Sequence, residues 1–232
     1  MKTYGKAILC AAALLSAVAI AQAQDTTPMT PQPVTQAPTK VVNNEELMKM
    51  FLDDQHDRGS EPFVKLDKDG KQLPPDKKWE PLSESAMEKR DAERRARVRH
   101  LLDTGNVRTG YDYWVAAMIF HHGSTPDDYL LAHVLACVGI VKGDINSRWL
   151  AAAALDRYLL ETKRKQIYGT QFDGTPGAPI ADDYDKSLLN DSLRAALCVI
   201  PHEQRQQAYL AYMSRKPADL NTTLLSCFAQ HE

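Results

Sequence analysis

The sequence is poor in the motifs that announce a reaction. It has no Gly-x-Ser-x-Gly turn, no His-Glu-x-x-His and no His-x-x-x-His spacing. A strained serine elbow and a helix-borne pair of zinc histidines are therefore not on offer. The fragment "DKDG" at 67–70 lacks the third acidic position and the closing glutamate of a calcium loop, so it reads as a turn. Neither sign of charge dominates. A formal net charge of −2 from 28 basic and 30 acidic residues supplies no basic face for nucleic acid.

Long hydrophobic runs are scarce as well. The apolar stretch at 7–20 follows Lys2 and Lys6 and precedes the small-x-small site Ala21-Gln22-Ala23. That order predicts a secretory signal at 1–23, and the stretch is too short to span a bilayer. Without Lys2 and Lys6 the formal charge becomes −4. The expectation is a bacterial protein, periplasmic or secreted, with no transmembrane segment. Four cysteines are present, of which Cys10 falls in the signal. In an oxidising compartment the three others suggest one bridge and one buried thiol. Cys137 lies in "LLAHVLACVGIV" and reads as a small buried hydrophobe; Cys198 and Cys227 share the C-terminal segment and are predicted to pair.

The segment 24–43 carries four prolines, several threonines and few large apolar side chains, which predicts a disordered tether. From 44 to 232 the pattern is helical, interrupted at 59–81 by a Gly- and Pro-rich insertion. Asn44 caps a first short helix. The segment 83–105 opens with Ser83 or Ser85 and ends at Gly105. Its dense charge predicts a solvated face, with Met87, Ala92, Ala96, Val98, Leu101 and Leu102 as a narrow contact stripe. Three more helices follow in "YDYWVAAMIFHHG", "TPDDYLLAHVLACVGIVKG" and "DINSRWLAAAALDRYLLETKRK", the last two started by Thr125-Pro126 and Asp144. Two further helices are expected in the segment 184–232, broken at Pro201. Short connections make consecutive helices antiparallel. The fold expectation is all-α: a single helical domain of helical-hairpin packing like that of tetratricopeptide proteins, without a fixed repeat period.

Placement cost marks the candidate site. On a helical wheel Asp156 falls within the apolar arc of Trp149, Ala152, Ala153, Leu159 and Leu160, whereas Arg157 points about 100° away. The two cannot neutralise each other, and an unpaired buried charge costs several kcal/mol, roughly, so each needs a partner from another segment. Counting back from the turn near 142–144 sets His133 beside residues 153–157, making a contact with Asp156 reasonable. The adjacent His121 and His122 cannot share one helix face, so no metal set is expected, nor any cofactor. After Lys165, "QIYGTQF" offers a glycine for close approach at 169, polar Thr170 and Gln171, and Tyr168 and Phe172 to pack the segment down. It reads as a helix-to-loop clamp that could also line a pocket.

These residues resemble an uncharacterised bacterial family, a domain of unknown function. The likeness rests on "DDQHDR" at 53–58, His122 at a helix end, "LDRYL" at 155–159 and "KQIYGTQF" at 165–172. Its pattern runs Asp-Gln-x-x-Arg, a Gln-His at a helix end, Asp-Arg, then Gln-x-Tyr-Gly-Thr-Gln. Here His121 stands where the family has glutamine. The resemblance directs attention to Asp54, Gln55, Arg58, His122, Asp156, Arg157, Gln166, Tyr168, Thr170 and Gln171 and implies no established activity. Two functions are open. The first is a binding domain for a peptide, an envelope component or a protein partner, in which Arg58 or Arg157 pairs with Asp156 or Asp54. The second is a hydrolase-type enzyme in which His122 or His133 acts as base and Asp156 or Asp54 orients it.

Overall fold

The computed structural model describes residues 41–60, 78–172 and 184–205. They belong to one compact unit, 40–232. The expected signal, most of the expected tether and the centre of the 59–81 segment lie outside the described residues. So do Cys227 and most of the last expected helix.

The fold is all-α, and no strand occurs among the described residues. Six helices follow in order: α1 Glu45–Asp57, α2 Glu84–Asp103, α3 Gly110–His121, α4 Pro126–Val141, α5 Ser147–Glu161 and the short α6 Asp191–Ala196, followed by a 3-10 turn at His202–Gln204. No described helix is long and apolar enough to cross a membrane. Helix starts are set by side chains that accept backbone amides left over at the first turn. Asn44 Oδ1 accepts from Glu46 N and Leu47 N at 2.9 and 3.2 Å. Thr109 and Asp112 form a capping box on α3, and Thr125 caps α4 ahead of Pro126. The expected start at Asp144 falls just outside α5, yet its Oδ1 accepts from Ser147 N at 2.8 Å and Ser147 Oγ at 2.9 Å, so it still ties down the first turn.

Helices α3, α4 and α5 form the most closely packed layer, with consecutive members adjacent, and α1 and α2 lie against α3. The core draws Leu47 and Phe51 from α1, Val98 and Leu101 from α2, and Val115, Ile119 and Phe120 from α3. Leu135 of α4, Leu150 of α5 and Val107 from the segment before α3 also belong to it. Small residues set the spacing: Ala151 to Ala154 are all buried, and a Cβ added at Gly139 would run into Ser147 Oγ.

Helix α2 departs from expectation. Asp91 and Arg94 are buried with Val98 and Leu101, whereas Ala92 and Ala96 are exposed. The stripe 91, 94, 98, 101 has the helical spacing of a core face, and its charged half is turned inward because α1 offers matching charge.

Candidate functional site

The loop after α5 is built from Asp156 outward. This carboxylate is fully buried and bonds no arginine among the described residues; of the expected pairings, Arg58 takes Asp54 and neither arginine takes Asp156. Its Oδ1 accepts from Ile167 N at 2.9 Å and Tyr168 N at 3.0 Å. Its Oδ2 accepts from Thr170 N at 2.8 Å and Thr170 Oγ1 at 2.7 Å. Four donors therefore replace the water lost on burial, which is what lets a charge sit among alanines. The loop carbonyls have their own partners. Arg194 donates to Tyr168 O and to the Tyr184 hydroxyl. Arg205 donates to Gly169 O at 2.8 Å and Gln171 O at 2.9 Å. Gln166, also fully buried, closes the loop: its Oε1 accepts from Gln171 N at 2.9 Å and its Nε2 donates to Gln171 O at 3.2 Å. Gly169 turns at φ +71°, and a Cβ there would approach Arg205 Nε at 2.9 Å.

From this frame Arg157 reaches a different helix. Its Nε donates to Gln171 Oε1 at 2.9 Å and its Nη1 to His121 O at 2.5 Å. His121 O lies in the last turn of α3, where carbonyls lack helical partners and a cation is favoured. The next residue is His122. Its Nδ1 meets Asp54 Oδ2 of α1 at 2.9 Å. A carboxylate can only accept, so Nδ1 carries the hydrogen and Nε2 is left as the position that takes or gives a proton.

Asp54 is almost completely buried and held by three further bonds or charges. Gln55 Nε2 donates to it at 2.8 Å and Arg58 Nη1 at 2.7 Å. Burial pushes this carboxyl up, but the His122 hydrogen bond and the charges of His122, Arg58 and Arg94 outweigh it, so Asp54 stays below the ordinary aspartate value. Arg58 continues to Asp91 Oδ2 at 2.6 Å, Arg94 bonds Asp91 Oδ1 at 2.8 Å and also Asp57, and Arg90 reaches Asp57 at 2.6 Å. Three aspartates and three arginines thus form a ladder between α1 and α2, neutral in formal charge.

His121 lies between the two halves. The residue is 4% exposed, and its Nδ1 has no hydrogen-bond partner among the described residues. Burial first, then the charges of Arg157, His122 and Arg58, hold it well below the usual histidine value, so it is neutral.

The expected site residues therefore divide. Asp54, Gln55, Arg58 and His122 converge, and Arg157 and Gln171 join them through the end of α3. Asp156, Gln166 and Thr170 are sealed anchors of the loop, with Tyr168 half-buried upon it. His133 does not meet Asp156: its Nδ1 faces Ala151 O at 2.9 Å. Reach explains this, because its register ends one turn short and all four Asp156 bonds are already spent on the loop. Cys137 is half-buried rather than sealed. No disulfide links described residues; Cys198 is buried, and its expected partner Cys227 lies outside them. The sequence reading missed Asp91, Arg94, Arg194 and Arg205. The first two continue the Val98–Leu101 stripe and could have been found by extending it; nothing local marks the last two.

Among the described residues no group of three or more histidine, cysteine or acidic side chains is arranged to hold a metal ion. No family model matches the chain, and no curated protein and no solved structure matches it either.

Proposed function

We propose that this is an exported bacterial helical protein that binds a ligand through half-buried polar groups: Gln55, Arg58, His122, Arg157 and Gln171 around the end of α3, and Tyr168 on the loop after α5. One observation carries the reading. These six keep partial exposure while the groups that hold them, Asp54, Asp156, Gln166 and Thr170, are buried. Sealed anchors beneath an accessible polar layer are how a protein fixes a recognition surface before its ligand arrives. Donors dominate the layer, which suits a ligand rich in acceptors, such as a peptide or an envelope component bearing carboxylates. The convergence of the Asp-Gln-x-x-Arg, helix-end histidine, Asp-Arg and Tyr-Gly-Thr-Gln positions also supports membership in the domain-of-unknown-function family that the sequence resembles.

A second reading, a hydrolase-type enzyme, is favoured by the 2.9 Å contact of His122 Nδ1 with Asp54. A buried carboxylate that orients an imidazole and leaves Nε2 to accept a proton is the base-and-orienter half of a hydrolytic site. His133, bonded to a carbonyl instead, has no such orienter.

Calorimetric titration with soluble peptidoglycan fragments and with short acidic peptides tests the first reading. Binding of either probe should weaken at least about tenfold in His122→Gln and Tyr168→Phe, with the helical circular dichroism retained. Equal binding by both variants, or no heat with either probe, would overturn it. Mass spectrometry of the same mixtures separates the second reading. Cleaved products that disappear in His122→Gln support catalysis; intact probes throughout reject it.

A further inference from the structure

Helix α4 carries a cluster that the site above does not use. His133 and Cys137 are one turn apart, with Cys137 Sγ 3.7 Å from His133 Nε2. His133 Nδ1 is 2.9 Å from Ala151 O. A carbonyl can only accept, so Nδ1 carries the hydrogen and the Nε2 lone pair faces the sulfur. Cys137 is half-buried and sits within an exposed apolar stripe at helical spacing, formed by Leu130, Val134 and Val141, which are 38%, 49% and 87% exposed.

Two uses of a thiol beside an imidazole lie open, and geometry chooses between them. A nucleophilic cysteine needs donors for the developing oxyanion. At the middle of a helix the local amides are already spent on the helix, so none is free to meet an oxyanion. A metal ion asks less. It displaces the thiol proton itself, and a tetrahedral ion with a Zn–S bond of about 2.3 Å and a Zn–N bond of about 2.0 Å places the two ligand atoms about 3.5 Å apart. The observed separation is close to that. The hydrogen bond from Nδ1 to a backbone carbonyl is the outer support that fixes the tautomer of metal-binding histidines.

We propose that Cys137 and His133 form a two-point clamp for a thiophilic divalent cation of the zinc type on the face of α4, with water completing the coordination. The spacing is that of the helical His-x-x-x-His pair with sulfur in the second position, so a scan for paired histidines passes over it. The cation binds as Cys137 releases its thiol proton to solvent, with no change of oxidation state.

Cobalt(II), which reports thiolate ligation by its near-ultraviolet charge-transfer band, tests the clamp in the mature, reduced chain. The wild type should develop the band and lose it on addition of zinc. Cys137→Ser should abolish it, and His133→Gln should weaken cobalt binding at least about tenfold. Far-ultraviolet circular dichroism checks that both variants remain helical. Should either fail to fold, alkylation of wild-type Cys137 by iodoacetamide replaces the comparison, and zinc should slow it at least about tenfold. Absence of the band in the wild type, its retention in Cys137→Ser, equal affinity in His133→Gln, or alkylation indifferent to zinc would each overturn the proposal.

Discussion

Two buried aspartates of this protein, Asp156 and Asp54, are satisfied by opposite means. Asp156 is answered by neutral donors, three of them backbone amides of its own following loop. Asp54 is answered chiefly by charged or chargeable side chains from α1, α2 and α3. Amide bonds are directional and set a loop conformation to within a few tenths of an ångström; ion pairs tolerate angular error but bring distant helices to a common point. The first arrangement therefore shapes and the second gathers. A histidine placed at their meeting point inherits the precision of the one and the charge of the other.

The largest expected effect is at the loop. Asp156→Ala strands four donors, and even with water entering, stability should fall by about 3–5 kcal/mol, on the order of 10 °C in melting temperature. A fall under 1 kcal/mol by urea titration would show that the loop is held elsewhere, with Arg194 and Arg205 as the first suspects. Arg94→Ala in the ladder leaves Asp57 and Asp91 each one partner short and should cost about 2–4 kcal/mol. That loss should shrink when Asp91→Asn is added, a coupling that a double-mutant cycle measures.

The pH response follows from two groups. His121 has its folded value depressed below the unfolded one, so the unfolded chain binds the extra proton first. Stability is then complete above about pH 6.5 and declines as pH falls below it. Asp54 is also depressed, and its contribution is lost only below about pH 4. His121→Gln should flatten the dependence of melting temperature on pH just below about 6.5 and leave the acid limb below about pH 4 in place. A slope unchanged in that variant would assign the upper window to another histidine.

Gly169→Ala should cost about 1–2 kcal/mol, because a positive φ and the nearby Arg205 both oppose a side chain. At the far end of the scale stands Arg97, whose solvent-screened pair with Glu46 at 2.6 Å should leave the melting temperature unchanged when it is lost. Arg97→Ala therefore sets the baseline against which the buried ladder is judged.

Local chemistry was legible wherever a residue acts on its own neighbours. Asn44, Thr125-Pro126 and Asp144 each bond amides two or three positions on, and the wheel that placed Asp156 inside needed only helical geometry. The clamp character of 166–171 was readable from its residue types. Partners at long range were not. Arg94 belongs to a segment whose dense charge predicts a solvated face, and the aspartates of α1 that reverse this lie far away in the chain. Arg194 and Arg205 act across 26 and 36 residues on backbone oxygens, and a carbonyl has no signature in a sequence. The His133 contact was counted to the right neighbourhood but one turn off, since rise per residue fixes height and leaves rotation to packing.

The bond from Arg157 to the His121 carbonyl gives the molecule a shared reference mark. A machinist who locates two holes from the same edge keeps their spacing even when the stock is bent; here the edge is one peptide group, and the tyrosine-glycine loop and the imidazole of His122 are both located from it. Replacing Gln171 ought consequently to move the His122 ring resonances in an NMR spectrum, although the glutamine stands on the other side of α5's guanidinium, and the two positions should be altered together by anyone redesigning the surface.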